Sequence, residues 1–455
     1  MAILINKYID KYANKDMSEI ISGTFISVIL KIVGTGLAYA FIFILSNKFG
    51  AEAVGIFSIY QTSLLLLTIV AVFGFNNTIL RFAAQYSTTG RWDLLAVIYK
   101  RMLKIVVIVS LALAVGVYVA ADWLASVFLH TPNYSIVFKA IAFILPCSAI
   151  TELNTEAIRG LKIISFSELF RTVHTNLLNI LLFVSIIALV GFSTSSAIVS
   201  YSVALCCTFM FSSMYWVRQI RLRTCDSCEK KEKALTAEGI LTVSLPLFVS
   251  TLLQYLMTYV PIYFVGIYQS SSDVGIYSAA VRMASVTGFI LVAINTIVGP
   301  KFAELYWSDK IEDLKEVVKY SSTLIFWFSA PILLGLMLFP DYIMGLLGLE
   351  FIRGRWVLLI LCFGQFVNAL SGSVVYFLAM TGGHNVIRNI MLGTAIVSIL
   401  LNVVLVKSLG ITGAALSTTV SVAFWNIAAV IYIRKRHSIN TFYLPGRSIS
   451  HDPQR

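Results

Sequence analysis

Val54-Gly55-Ile56-Phe57-Ser58 returns, nearly letter for letter, as Val274-Gly275-Ile276-Tyr277-Ser278. The step from 54 to 274 is 220 residues, and it holds elsewhere. Arg81-Phe82-Ala83 matches Lys301-Phe302-Ala303, Tyr86 matches Tyr306, and Asp93-Leu94 matches Asp313-Leu314. One offset kept over separate stretches of a 455-residue chain marks an internal duplication. The repeated unit holds six apolar runs, an even number, so both copies enter a membrane in the same direction. That is a parallel repeat, as in transporters built from two related halves.

The solvent follows from composition. Hydrophobic residues make up 58% of the chain and charged residues 12%, where a soluble domain carries about 25% charged. The mean hydropathy is +0.86. Such a chain cannot cover itself for water, so lipid is its environment. Crossing a bilayer as a helix takes roughly 20 apolar residues. Runs of that kind fall at 21–45, 54–77, 103–121, 137–157, 173–191, 196–217, 240–267, 275–299, 320–339, 357–379, 389–406 and 411–433. The expected fold is all-α and integral to the membrane, with about twelve transmembrane helices in two six-helix lobes. Residues 1–217 form the first lobe and 239–433 the second. The segment 218–238 is a hydrophilic linker and 434–455 a tail.

The formal net charge is +12. In a soluble protein this would raise nucleic acid as a partner. Here the cations sit between apolar runs, where they set topology and meet anionic headgroups, so no nucleic-acid partner is expected. With the N-terminus inside, 27 of the 34 Lys and Arg fall on the inner side, 5 outside and 2 within spans. Both termini are therefore expected in the cytoplasm. No cleavable signal pattern opens the chain, so the first helix reads as an uncleaved anchor. Ile3, Leu4, Ile5, Tyr8, Ile9 and Tyr12 suggest an interfacial helix ahead of it.

Catalytic and metal motifs are missing from the sequence. Cys225 and Cys228 form a lone C-x-x-C with no second ligand pair nearby, which reads as two reduced thiols rather than a zinc site. The five histidines are scattered and no phosphate-binding loop occurs. The chain is expected to be a transporter, not an enzyme, with no cofactor and no metal.

An ionised side chain in the bilayer costs about 2.5–3.5 kcal/mol on insertion scales, and it marks a cavity or a pair. Lys31 lies near the middle of run 21–45, and Arg282 lies about two turns into run 275–299. Neither has an acid at i±3 or i±4. Each is either a cavity cation for an anionic head group, or a snorkelling or interhelically paired side chain. Glu152, Glu156 and Arg159 share one face at the inner end of run 137–157, with Glu156 and Arg159 in pairing register. They are either a coupling-ion site or an interfacial ion pair. Arg81 and Arg159 are candidate cations at the cytoplasmic mouth. Gln254 and Gln365 are cavity candidates among the mid-span polar residues. Gln61, Asn176, Asn179, Asn368, Asn402 and Asn426 are expected mostly to bond across helices. Pro246 and Pro261 in run 240–267, with Gly34-Thr35-Gly36 in run 21–45, are either moving gates or static kinks.

Several motifs carry a family resemblance. They are Gly50-Ala51-Glu52-Ala53-Val54-Gly55-Ile56-Phe57, Asn77-Thr78-Ile79-Leu80-Arg81-Phe82, Arg159-Gly160-Leu161-Lys162, Ser272-Asp273-Val274-Gly275, Pro300-Lys301-Phe302-Ala303-Glu304 and Gly410-Ile411-Thr412-Gly413. In order and spacing the chain resembles the Wzx-type polysaccharide (O-antigen) flippases of the multidrug/oligosaccharidyl-lipid/polysaccharide (MOP) transporter superfamily. The resemblance implies two lobes about a V-shaped cavity, in the cell inner membrane. It implies a polyprenyl-diphosphate-linked oligosaccharide as substrate, moved from inner to outer leaflet. It also implies a monomer that works beside glycosyltransferases and a polysaccharide polymerase. One departure is Thr258-Tyr259-Val260-Pro261-Ile262-Tyr263-Phe264-Val265-Gly266, which lacks the acid that relatives often carry there. Coupling through that helix is thereby put in doubt. Another reading with this plan is a MATE-like exporter of organic cations, which would be expected to show an uncompensated acid deep in the first or seventh helix. A further relative is a peptidoglycan-precursor flippase, whose family usually carries two extra helices. A membrane-bound polymerase or ligase would need a large outer loop, and the outer loops here are short.

Overall fold

The computed structural model describes residues 15–131, 134–190, 195–224 and 237–443. The proposed interfacial helix over residues 3–12, Cys225, Cys228, His451 and most of the 218–238 linker lie outside the described residues. No strand occurs among the described residues. Helix α1 spans Lys15–Val72, α2 Phe75–Thr88, α3 Trp92–Val119, α4 Ala121–Leu129 and α5 Ser135–Gly160. Helix α6 runs as Ile164–Glu168, a π-helical turn Leu169–His174, and Thr175–Val190. Then come α7 Ser195–Thr224, α8 Ala237–Tyr268, α9 Ser271–Ala284, α10 Gly288–Trp307, α11 Ile311–Leu338 and α12 Pro340–Gly345. The chain ends with α13 Arg355–Ser371, α14 Val374–Met380, α15 His384–Leu409 and α16 Ile411–His437.

Eleven stretches of the described residues are long and apolar enough to cross a membrane. The first, Ile29–Val72, has 44 residues. As a straight helix it would be about 66 Å long, twice the roughly 30 Å hydrocarbon core. It is not straight. Gly50 adopts φ 76° and ψ −171°, a backbone an L side chain avoids. Each limb of α1 is then of crossing length. The second limb begins at Ala51, whose N–H donates to Glu350 Oε2 at 3.0 Å, and Asn47 Nδ2 donates to the Leu346 carbonyl at 3.0 Å. A carboxylate at a helix N-terminus answers both the orphan N–H and the helix dipole. Glu350→Ala is expected to destabilise the protein by about 1 kcal/mol, and Glu350→Gln by less, because its amide oxygen still accepts. Thermal unfolding in detergent reads this difference, and equal melting of all three proteins would rule the cap out.

Contacts group the described residues into two compact units. Unit 1 takes the residues up to Leu45, Tyr60–Ser126 and Thr131–Leu252, and unit 2 takes Ser46–Ile59, Val127–His130 and the residues from Leu253 onward. This grouping is not the division by repeat, since the part of α1 around the Gly50 bend, Ser46–Ile59, counts with unit 2.

The duplication is nonetheless visible at equivalent positions. Phe82 and Leu94 lie in the core of unit 1, with Phe75, Ile79, Ile98 and Trp216. Their counterparts Phe302 and Leu314 lie in the core of unit 2, with Val374, Phe377 and Ile433. Within unit 2 the two copies of the opening motif touch each other. A Cβ on Gly55 would strike the Ser271 carbonyl oxygen, and a Cβ on Gly275 would strike the Ala51 carbonyl oxygen. Positions 51 and 271 are a repeat pair, as are 55 and 275, so the contact is reciprocal like an isologous dimer interface. Small residues four apart on each helix let the two backbones meet.

Two further features depart from a reading by apolar runs. Helix α2 has only 14 residues. It buries Phe75, Ile79, Phe82 and Tyr86 along one face while Arg81 is exposed. Past α16, Ile439 and Thr441 are buried, and the Tyr443 N–H donates to the Leu370 carbonyl at 2.9 Å. Residues up to 443 of the expected tail thus pack into unit 2.

Candidate functional site

Among the described residues, the densest group of charged side chains within crossing helices lies in unit 1, where α1, α5 and α6 meet. Its making starts with Gly34. A Cβ there would come within 2.6 Å of Thr172 Cβ, so the bare backbone of α1 seats α6 closely. Thr172 lies in the π-helical turn, where the i→i−4 ladder is interrupted. Asn176 Nδ2 repairs the interruption. It donates to the Thr172 carbonyl at 2.8 Å and across to the Gly34 carbonyl at 3.0 Å. Lys31 precedes Gly34 by three residues and Glu168 precedes Thr172 by four, so the close seat brings the two together. Lys31 Nζ lies 3.7 Å from Glu168 Oε1.

Beside this pair is a second one. Arg171 Nη2 donates to Glu152 Oε1 at 3.0 Å and also to Glu156 Oε1. Arg159 Nη1 lies 3.7 Å from the same Glu156 oxygen. Three acids and three bases thus form one formally neutral group on three helices. It is unevenly finished. Both oxygens of Glu168, and Oε2 of Glu156, are buried with no hydrogen-bond donor among the described residues. The pair is also lopsided, since the Glu168 side chain is 1% exposed and that of Lys31 39%.

Of the alternatives open for Lys31, the interhelical pair is the one observed, and its acid lies beyond i±3 and i±4. One boundary needs correction, since an apolar run at 173–191 leaves Glu168 and Arg171 in a loop. The helix begins instead at Ile164, and Ser167 and Glu168 are both buried, with Ser167 Oγ donating to the Thr155 carbonyl of α5 at 2.9 Å and Glu168 facing Lys31 of α1. Polar residues turned to a protein interior lower hydropathy without ending a membrane helix. The pairing of Glu156 with Arg159 at i,i+3 is present, and Arg171, unexpected, is the closer partner.

Lys31, Glu152, Glu156 and Arg159 are therefore brought together, and Arg81 is exposed on α2, whose Leu80 and Ala83 pack against Gly160 at the end of α5. The remaining candidates belong to unit 2. Arg282 is half-buried in the last turn of α9. Gln254 is exposed on α8, and Gln365 on α13 accepts from Asn368 Nδ2 at 3.4 Å. Asn176 and Asn179 do bond across helices, the latter accepting from Ser200 Oγ at 2.8 Å. Asn402 and Asn426 instead donate to carbonyls of their own helices. No cluster of metal-ligating side chains occurs among the described residues.

Comparison with known proteins agrees with this architecture. A family model described as "Polysaccharide biosynthesis protein" matches residues 20–306, more than half of the chain, and the MatE model matches 246–405. The chain is 24% identical over 425 residues to the "Probable low-salt glycan biosynthesis flippase Agl15" of Haloferax volcanii, covering 91% of this chain and 84% of that protein. Among solved structures it resembles a MOP superfamily transporter from Pyrococcus furiosus (TM-score 0.67, 17% identity, 92% of this chain and 95% of that one). It also resembles the lipid II flippase MurJ in an inward closed conformation (TM-score 0.72, 13% identity, 91% and 87%). An inward-facing multidrug resistance MATE family transporter gives a TM-score of 0.72 at 15% identity, covering 90% and 98%. These likenesses show the fold, and the all-α membrane fold of the MOP type is borne out.

Proposed function

This chain belongs to the polysaccharide biosynthesis protein family, and we propose that it is a flippase for a polyprenyl-diphosphate-linked oligosaccharide. It carries the repeat unit of a surface polysaccharide, O-antigen or capsule, from the inner to the outer leaflet of the cytoplasmic membrane. The observation that carries this reading is the lopsided pair on α1 and α6. Its acid is sealed while the Lys31 side chain is partly exposed, so a ligand that reaches the pair meets the lysine first. A phosphate beside an ammonium in low dielectric is held strongly. Agl15, the glycan flippase relative, supports the substrate class.

Arg81 and Arg159 gather the anionic head group at the cytoplasmic rim. Arg282, Gln254 and Gln365 contact the cargo from the second six-helix lobe, and Glu152 and Glu156, which Arg171 holds, are the candidate carboxylates for a coupling ion. The membrane is crossed twelve times with both termini inside, as the placement of Lys and Arg supports. The protein acts as a monomer, fed by glycosyltransferases and emptied by a polymerase.

Deleting the gene tests this. Lipid-linked repeat units should accumulate where a periplasmic glycan label does not reach them, and wild type should return them to the label. Lys31→Ala should return less than a tenth as much. A second reading, export of organic cations, is favoured by the match to MatE and by the buried Glu168 carboxylate. It wins if the lipid-linked pool is unchanged and the deletion strain becomes sensitive to organic cations.

A further inference from the structure

We propose that Glu168 is a resident counter-ion, which the diphosphate of the substrate displaces from Lys31 in every cycle, and that this exchange keeps the cargo from being held too tightly to leave. The inference rests on the flippase reading.

Its first ground is how differently the acids of this protein are treated. Glu350 accepts a backbone N–H, and Glu152 and Glu156 accept from Arg171. Glu168 is the most deeply buried of the four-membered set on α5 and α6 formed by Glu152, Glu156, Glu168 and Arg171, yet neither of its oxygens has a hydrogen-bond donor among the described residues. A carboxylate kept only to hold helices together would be expected to be hydrogen-bonded, because a buried acceptor without a donor weakens the fold. At 3.7 Å the Lys31 ammonium neutralises Glu168 without completing a hydrogen bond.

The second ground is mobility. The Glu168 backbone is pinned by the contact of Gly34 with Thr172 and by the Asn176 bridge. Its carboxylate is sealed. Lys31 has a flexible four-carbon stem and an open side. An arriving phosphate can therefore draw the ammonium outward while the acid stays behind. The charged neighbours that remain are Arg171, already shared by Glu152 and Glu156, and Arg159, beside Glu156. Glu168 is then a buried carboxylate that has lost its counter-ion, which is unfavourable. That loss is subtracted from the affinity for the phosphate, and its recovery helps expel the phosphate on the far side. Glu168 is thus a positioning residue, acting on the substrate through Lys31.

The test is Glu168→Gln, which keeps the shape and removes the charge. Purified protein in nanodiscs is titrated with undecaprenyl diphosphate, and the same variant is assayed for flipping in vesicles. Affinity is expected to rise about tenfold, or about 1.4 kcal/mol, while the maximal flipping rate falls by a similar factor. A residue with only a packing role would give weaker binding, or none of this split between affinity and rate. Unchanged or weakened binding in Glu168→Gln, with wild type binding normally, overturns the inference and leaves the flippase reading standing. If wild type itself does not bind undecaprenyl diphosphate, the flippase reading fails and the inference falls with it. Should Glu168→Gln not accumulate, Glu168→Asp carries the same test. It keeps the charge but shortens the reach to Lys31, and a roughly threefold gain in affinity is expected, with no gain counting against the exchange.

Discussion

Leucine at Gly55 or at Gly275 is expected to abolish recovery of folded protein, and the two variants should fail alike. At each position the first side-chain carbon would meet a backbone carbonyl oxygen of the partner helix, Ser271 or Ala51. A flexible side chain could yield, but a carbonyl inside a helix cannot move without shifting the helix. Overpacking of an ordinary core costs about 1–3 kcal/mol. A forced separation of two helices belongs to the exceptional class above about 4 kcal/mol. Alanine already introduces the clashing atom, so Gly55→Ala and Gly275→Ala should both lower the melting temperature strongly. Gly36→Ala is the control, because nothing lies within 4 Å of the added carbon. Size-exclusion profiles and thermal melts in detergent read all five variants. Tolerance of leucine at either glycine, or a severe effect at one glycine alone, would refute the reciprocal contact.

The second large effect is expected at Arg171. Its guanidinium bridges Glu152 and Glu156, and the Glu156 side chain is 6% exposed. Arg171→Gln leaves two like charges side by side with only Arg159 near. Breaking a buried ion pair by removing one partner costs about 3–5 kcal/mol. Lysine at 171 should recover only part of this, because a single ammonium does not match a planar fork shared by two acids. The informative variant is the double one. Arg171→Gln with Glu156→Gln removes the uncompensated charge together with its partner, and it should melt closer to wild type than Arg171→Gln alone. If adding Glu156→Gln makes matters worse, the two residues are not coupled as the geometry has it.

What could be read from the residues and what could not divide along a physical line. Lipid accepts a backbone only as helix or closed barrel, so apolar runs separated by charged loops disclose crossing segments without any knowledge of their neighbours. The 220-residue offset likewise needs only the sequence. The same motif did not disclose that Gly55 and Gly275 touch, since a repeat says which positions are equivalent and not which are adjacent. Glu168 escaped notice for a related reason. Hydropathy starts the helix too late in the chain, because Ser167, Glu168 and Arg171 lower it in a segment whose polar groups meet α1 and α5 rather than water. Lys31 was found because it interrupts an apolar run, but its partner lies 137 positions along the chain, from 31 to 168, and local spacing carries no trace of it. Asn402 and Asn426 show the opposite error. Polar residues in a span were expected to reach across helices, and these two satisfy carbonyls one turn back on their own.

On the proposed function, the partly exposed Lys31 over the sealed Glu168 serves the movement of an anionic, lipid-linked sugar. The most direct test is made with the purified protein in sealed vesicles, loaded with a fluorescent polyprenyl-diphosphate-linked oligosaccharide and probed with a glycosidase that cannot cross the membrane. Wild type should render the protected half of the labelled lipid cleavable, Lys31→Ala should do so at less than a tenth of the rate, and Lys31→Arg should retain much of it. Protection that persists with wild type as in protein-free vesicles, or equal rates for wild type and Lys31→Ala, would contradict the account.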